Sequence, residues 1–162
     1  MSEVFFIING TKEEQYLQLF PQIEALLKGE DDMTANMANL TAILKQQFGW
    51  LWVGFYIVKN NELVLGPFQG PVACTRIQKG KGMCGTAWER SQTILVDNVE
   101  TFPGHIACSS WSKSEIVVPY YAEGHVAGVL DIDSEHLAYF DEIDQKHLER
   151  IVQLLQEKKQ LF

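Results

Sequence analysis

Ser114-Glu115-Ile116-Val117-Val118-Pro119-Tyr120-Tyr121-Ala122-Glu123-Gly124-His125-Val126-Ala127-Gly128-Val129-Leu130-Asp131-Ile132-Asp133-Ser134 is the stretch whose reading decides the fold. Two apolar, β-branched runs flank Glu123-Gly124, which reads as an antiparallel hairpin with a tight turn. Side chains alternate between faces along a strand, so Asp131 and Asp133 project together, away from Ile132. Glu115 lies on the partner strand. Three carboxylates in an otherwise apolar hairpin are costly unless solvated, paired or used. A solvated sheet face is the plain explanation. The functional one is a pocket that binds a cationic amino group and supplies a proton.

Upstream, Trp50–Val58 is aromatic and β-branched and reads as a strand, with Trp50, Trp52, Gly54 and Tyr56 on one face. Such aromatics are ordinarily core, but Trp52 is also placed to wall a small pocket. Lys59–Glu62 turns the chain, Leu63–Leu65 returns as the hairpin partner, and Gly66–Pro71 follows as a loop. Val72–Ile77 reads as a short strand, Cys84–Arg90 as a short helix and Ile94–Val96 as another strand. Asp97–Lys113 is a loop long enough to be read as functional, and it carries His105, Cys108 and Trp111.

Helical spacing governs both ends. Tyr16, Leu19, Phe20, Ile23, Leu26 and Leu27 mark a helix from about 12 to 28, with Thr11 and Glu14 as a capping box and Pro21 bending or splitting it. Glu30-Asp31-Asp32 opens a second helix that runs to about Phe48. A final helix runs from about 141 to 160, with Ile143, His147, Leu148, Ile151, Leu154 and Leu155 inward. The expected architecture is α+β in one domain over 1–162. N-terminal helices over about 12–48 and a C-terminal helix over about 141–160 pack on one face of a central antiparallel sheet, and sheet and loops fill about 50–134.

At 162 residues the chain is long enough for a substantial core, and a net charge of −8 without a basic, aromatic-interleaved stripe argues against nucleic-acid binding. No apolar run approaches a membrane span. The first residues lack a basic n-region, a full h-region and a cleavage site, so the chain reads as cytoplasmic. There thiols are inert, metal-bound or reactive.

The three cysteines are Cys74, Cys84 and Cys108. Their wide spacing does not match the close pairs of structural zinc sites. Cys84 sits in the Gly-rich string Gly82-Met83-Cys84-Gly85, where a helix start favours thiolate. Cys108 lies in a polar loop beside Gly104, His105, Ser109 and Ser110, and His105 is a candidate tuner of its acidity. Either cysteine qualifies as a nucleophile on this reading.

Several strings together give the chain a specific likeness. They are Gly66-Pro67-Phe68-Gln69-Gly70, Ala73-Cys74-Thr75-Arg76-Ile77, Gly82–Ala87, Phe102–Cys108, Ser112–Pro119 and Gly128–Ser134. In these the chain resembles the free methionine-R-sulfoxide reductases, a family built on a single GAF domain. The resemblance implies a six-stranded antiparallel sheet, an enclosed active site opposite the long helices, and often a homodimer. It implies reduction of free L-methionine-R-sulfoxide with no cofactor and no metal. Cys108 then attacks the sulfoxide sulfur, Cys74 and Cys84 share the resolving role, and thioredoxin or a similar dithiol is the reductant. Cys84 retains a rival claim as nucleophile. Glu115 and Asp133 are the implied proton donors, Asp131 the holder of the substrate ammonium, and Trp52 and Tyr56 the aromatic substrate contacts. The chain departs from the family pattern at Ser109-Ser110-Trp111, where an acidic residue is more usual. Two other readings stand beside this one: a GAF module that binds a ligand or senses oxidants without catalysis, and a thiol peroxidase with Arg76 as its activating cation.

Overall fold

The structure, a computed structural model, describes residues 5–158. Helix α1 (Lys12–Leu27) opens with the expected reciprocal cap: the Glu14 N–H donates to Thr11 and the Thr11 N–H to the Glu14 carboxylate. Pro21 lies inside α1 without splitting it. Asp32 caps α2 (Met33–Phe48) by accepting from the Ala35 N–H, so the acidic run precedes the helix rather than forming its first turn.

Strands β1 (Trp52–Lys59), β2 (Glu62–Gln69) and β3 (Arg76–Gln78) follow, then helix α3 (Gly82–Arg90), strand β4 (Ile94–Val96) and a 3₁₀ turn at Val99–Thr101. Strands β5 (Ser114–Ala122) and β6 (His125–Ser134) form the hairpin read from the sequence, and α4 (Glu142–Gln156) closes the described fold. Its turn places Glu123 at φ +53° and Gly124 at φ +81°, the left-handed pair that a two-residue hairpin turn requires. The expected extension of α4 to 160 is not seen: the helix ends at Gln156, and residues 159–162 lie outside the described part.

The six strands lie in the order β3-β2-β1-β6-β5-β4, with every neighbouring pair antiparallel. Alternation then divides the molecule. Val53, Phe55, Ile116, Val118, Leu130 and Ile132 face α1, α2 and α4 in one apolar layer. Trp52, Tyr56, Val117 and Val129 face the other way, against α3 and its flanking loops. The long helices therefore occupy one face, as expected, and leave the opposite face to the loops.

Three sequence expectations need correction. Trp50 does not share a face with Trp52 and Tyr56. It precedes β1, stacks on Phe48 at 4.5 Å and belongs to the helical layer, because strand alternation begins only at Trp52. The strand expected over Val72–Ile77 is confined to Arg76–Gln78, and the residues before it form a loop that carries Cys74. Conversely, β2 continues through Pro67 to Gln69 where a loop was expected. Strand β3 pairs only with Glu62–Val64, and the β1 register shifts near Gly54–Tyr56, so no ladder bond requires a Pro67 N–H.

Candidate active site

The β5–β6 register sets the carboxylates. Glu115 is directly opposite Asp133, and Asp131 is opposite Val117, one diagonal step away. On its other edge β6 pairs with β1, which sets Trp52 opposite Asp133 and Gly54 opposite Asp131. A Cβ on Gly54 would lie 2.4 Å from both Phe68 and the Trp52 ring, so glycine is what lets that indole lie along the sheet. Trp52 stacks on Phe68 at 5.3 Å and on Tyr56 at 5.9 Å, and its Nε1 donates to the Pro71 carbonyl at 3.1 Å.

Helix α3 and the long loop cover this floor. Together they enclose a cavity of about 50 Å³ lined by Trp52, Tyr56, Cys84, Glu115, Asp131 and Asp133 below and by His105, Ile106 and Cys108 above. Cys74 and Cys108 are joined as a disulfide across the rim, which ties the loop before β3 to the long loop. Tyr56 holds the same loop from beneath by donating to the Cys74 carbonyl at 2.8 Å. Cys84 is free and buried. The cysteines, carboxylates and aromatics singled out from the sequence thus meet at one cavity, Cys74 through its bond to Cys108, whereas Arg76 lies outside it, exposed and paired with Glu62 at 2.8 Å.

The floor is a solvent-poor cluster of like charges. Glu115 is 7% exposed and Asp131 6%, which excludes a solvated sheet face for them. Burial, then the charges of Asp131 and Asp133, hold the Glu115 carboxyl well above the usual carboxylate range. Burial, then the Asp131 charge, does the same to Asp133, opposed by a 2.7 Å hydrogen bond from the Ser112 hydroxyl. Asp131 is raised less. Burial lifts it, while bonds from Glu115, from Cys84 and from the Ile132 backbone oppose the rise. Its Oδ1 is nevertheless buried with no hydrogen-bond partner. The arrangement favours the neutral acid at Glu115 and Asp133 and sets beside them an Asp131 oxygen with an unmet acceptor.

Cys84 departs from expectation. It lies in the first turn of α3, yet burial and then the charges of Asp131, Glu115 and Asp133 push its thiol well up. The carboxylates beneath it outweigh the helix start, and the expected thiolate character is not found. Sequence reading also missed Ser112 as the partner of Asp133, and Met83, Ile77 and Lys81 as cavity walls. Ser112 was legible in principle: Ser114 pairs with Ser134, so a residue two before it lies near the end of the same strands.

Known proteins resemble this chain in sequence and in fold. A family model for the GAF domain matches residues 30–156. GAF domain-containing protein A of Dictyostelium discoideum is 62% identical over 156 residues, covering 96% of this chain and 99% of that one. The free methionine-R-sulfoxide reductase of Escherichia coli is 42% identical over 146 residues, covering 90% and 88%. The crystal structure of the free methionine-R-sulfoxide reductase of Neisseria meningitidis in complex with its substrate superposes with a TM-score of 0.94. It is 49% identical, covering 96% of this chain and 95% of that one.

Proposed function

Since this chain belongs to the GAF-domain family, and within it to the free methionine-R-sulfoxide reductases, we propose that it reduces free L-methionine-R-sulfoxide to methionine with its own thiols. The observation that carries this reading is the Cys74–Cys108 disulfide at the rim of a cavity floored by three carboxylates. Such a bridge is the oxidised end of a thiol cycle, and the floor below it has a proton to give.

The Cys108 thiolate attacks the sulfoxide sulfur while Glu115 or Asp133, held neutral, protonates the departing oxygen. Oxygen passes to Cys108 as a sulfenic acid and methionine leaves as the thioether. The Cys74 thiol then attacks the sulfenic sulfur, expels water and forms the Cys74–Cys108 bond. A thioredoxin-type dithiol returns both thiols by exchange. Cys84, its thiol pushed up by burial, is the poorer first nucleophile and serves as a reserve resolving thiol.

Substrate recognition follows from the two poles of the cavity. Asp131 takes the ammonium on its unpartnered oxygen, and Trp52 with Tyr56 packs against the S-methyl end. The start of α3, with Lys81 at the rim, offers backbone N–H groups and positive charge to the substrate carboxylate. A peptide-bound methionine sulfoxide has neither free end and loses both contacts. A cytoplasmic setting, where dithiol reductants are kept reduced, fits the cycle. A homodimer is expected of the family.

The test is turnover of the separated R and S epimers of free methionine sulfoxide, and of a peptide-bound form, with dithiothreitol or thioredoxin as reductant. Activity confined to the free R epimer supports the proposal. Equal rates on both epimers, or faster turnover of the peptide, overturn it in favour of another thiol activity or a sensing module.

A further inference from the structure

One group in the floor has no part in holding an amino acid. The Cys84 Sγ, one oxygen of Glu115 and one of Asp131 all lie within 4.8 Å of one another, and all three residues are buried. The substrate ammonium needs the oxygens but not the sulfur, and the Cys74–Cys108 bridge leaves that sulfur without a redox partner. A soft sulfur beside two carboxylates is a donor set suited to zinc-like cations rather than to magnesium or calcium, which prefer oxygen alone.

We propose that Cys84, Glu115 and Asp131 bind a thiophilic divalent cation in the substrate cavity. A second observation points the same way: Asp131 is 94% buried, and its Oδ1 is unpartnered in a cavity it lines. Such an oxygen is an acceptor waiting for a cation. Tetrahedral zinc with bonds of ~2.0–2.3 Å sets its donors ~3.3–3.8 Å apart. The three donor atoms therefore need to close in by about 1 Å to ligate the ion. The fourth position falls to water. The cation occupies the place of the substrate ammonium, so it competes with free methionine sulfoxide. That consequence, unlike the binding itself, rests on the function proposed above.

The experiment uses the full chain with its Cys74–Cys108 disulfide intact, so that Cys84 supplies the one thiol. Equilibrium dialysis with Zn²⁺ alone is expected to give one ion per chain, undisturbed by millimolar Mg²⁺. Co²⁺ is expected to bind with a thiolate-to-metal charge-transfer band in the near ultraviolet. Cys84→Ala is expected to lose the band and weaken Zn²⁺ binding by more than the ~10–100-fold typical of losing a mere outer partner of a metal site. Asp131→Asn, which keeps the volume, is expected to weaken it comparably, with circular dichroism reporting that both variants fold. Absence of stoichiometric Zn²⁺, absence of the cobalt band, or a Cys84→Ala variant that binds as the parent does, overturns the proposal. Free methionine-R-sulfoxide is expected to raise the apparent Zn²⁺ dissociation constant. A cobalt band in a protein without reductase activity sinks the proposed function but leaves the cation site. Reductase activity without the band does the reverse.

Discussion

Glu115 faces Asp133 across the hairpin with Asp131 on the diagonal, and none of the ion pairs among the described residues reaches them. Because burial and mutual repulsion raise these carboxyls, the acid form that the proposed mechanism uses as proton donor persists to higher pH than that of an ordinary carboxylic acid. Once Cys108 is thiolate, we expect the single-turnover rate to fall as pH rises through the raised carboxyl values. Glu115→Gln should remove that limb and lower the rate by about 10²–10⁴-fold. The folded state also holds more protons than the unfolded chain above about pH 4, so these groups make stability fall as pH rises. Glu115→Gln should therefore flatten the pH dependence of the melting temperature. A variant with the parental limb removes Glu115 from the proton-donor role.

Residue scale also decides between the thiols. Quenched-flow assays should find that Cys108→Ser makes no methionine, whereas Cys74→Ser still releases about one methionine per site without reductant, its sulfenic acid left for Cys84 to resolve. If Cys84→Ser loses the first turnover and Cys108→Ser keeps it, the two roles are reversed.

At the scale of elements, α3 and the loop tied down by the disulfide cover the cavity, while α1 and α4 support the sheet from its other face. These two helices are joined by a polar clamp inside the apolar layer. Tyr16 OH donates to Asp144 Oδ1 at 2.6 Å, Lys12 Nζ to Asp144 Oδ2 at 2.7 Å, and His147 meets Glu13 at 2.8 Å while stacking on Tyr16. Asp144 also completes the cap of α4 by accepting from the Asp141 N–H. Removing it strands the buried Tyr16 hydroxyl and leaves Lys12 to Asp141 and the Tyr139 carbonyl, so Asp144→Ala is expected to destabilise the protein by about 1–3 kcal/mol in denaturant unfolding. KM for the sulfoxide should be unchanged, since the clamp lies on the other side of the sheet from the cavity. A rise in KM without loss of stability would contradict this separation of roles.

For the whole molecule, the sheet is a partition: apolar packing against three helices on one face, a reactive cavity on the other. Among the described residues no helix is long and apolar enough to cross a membrane. The Cys74–Cys108 bond spans 34 positions and closes a loop that includes β3, α3 and β4. Loop-closure entropy assigns such a bridge about 3–4 kcal/mol, and ~2–4 °C per kcal/mol is usual at this chain length. Scanning calorimetry of oxidised and reduced protein should thus find the reduced form melting about 10 °C lower. Equal melting temperatures would mean that the bridge restrains nothing that the fold does not already hold. The catalytic cycle, on this view, alternates between a clamped molecule and a looser one able to admit substrate.

Much of this was legible from local pattern. The hairpin at 114–134, the capping box at Thr11 and Glu14, and the placement of Asp131 and Asp133 on one face follow from short-range periodicity and turn chemistry, which tertiary contacts did not override. Likewise the strings that carry the family likeness are contiguous, so they could be read in one dimension. Tertiary structure alone decided the rest. Trp50 joined the helical layer because packing on Phe48, rather than alternation, placed it. Pro67 stayed in a strand because its neighbour β3 is short. Cys84 lost its expected thiolate character, and Cys74 became the partner of Cys108, because charge and distance act through space. Which thiol sits over carboxylates and which sits beside another thiol depends on how loops far apart in the chain are folded onto one face of the sheet, and no spacing in the sequence encodes that.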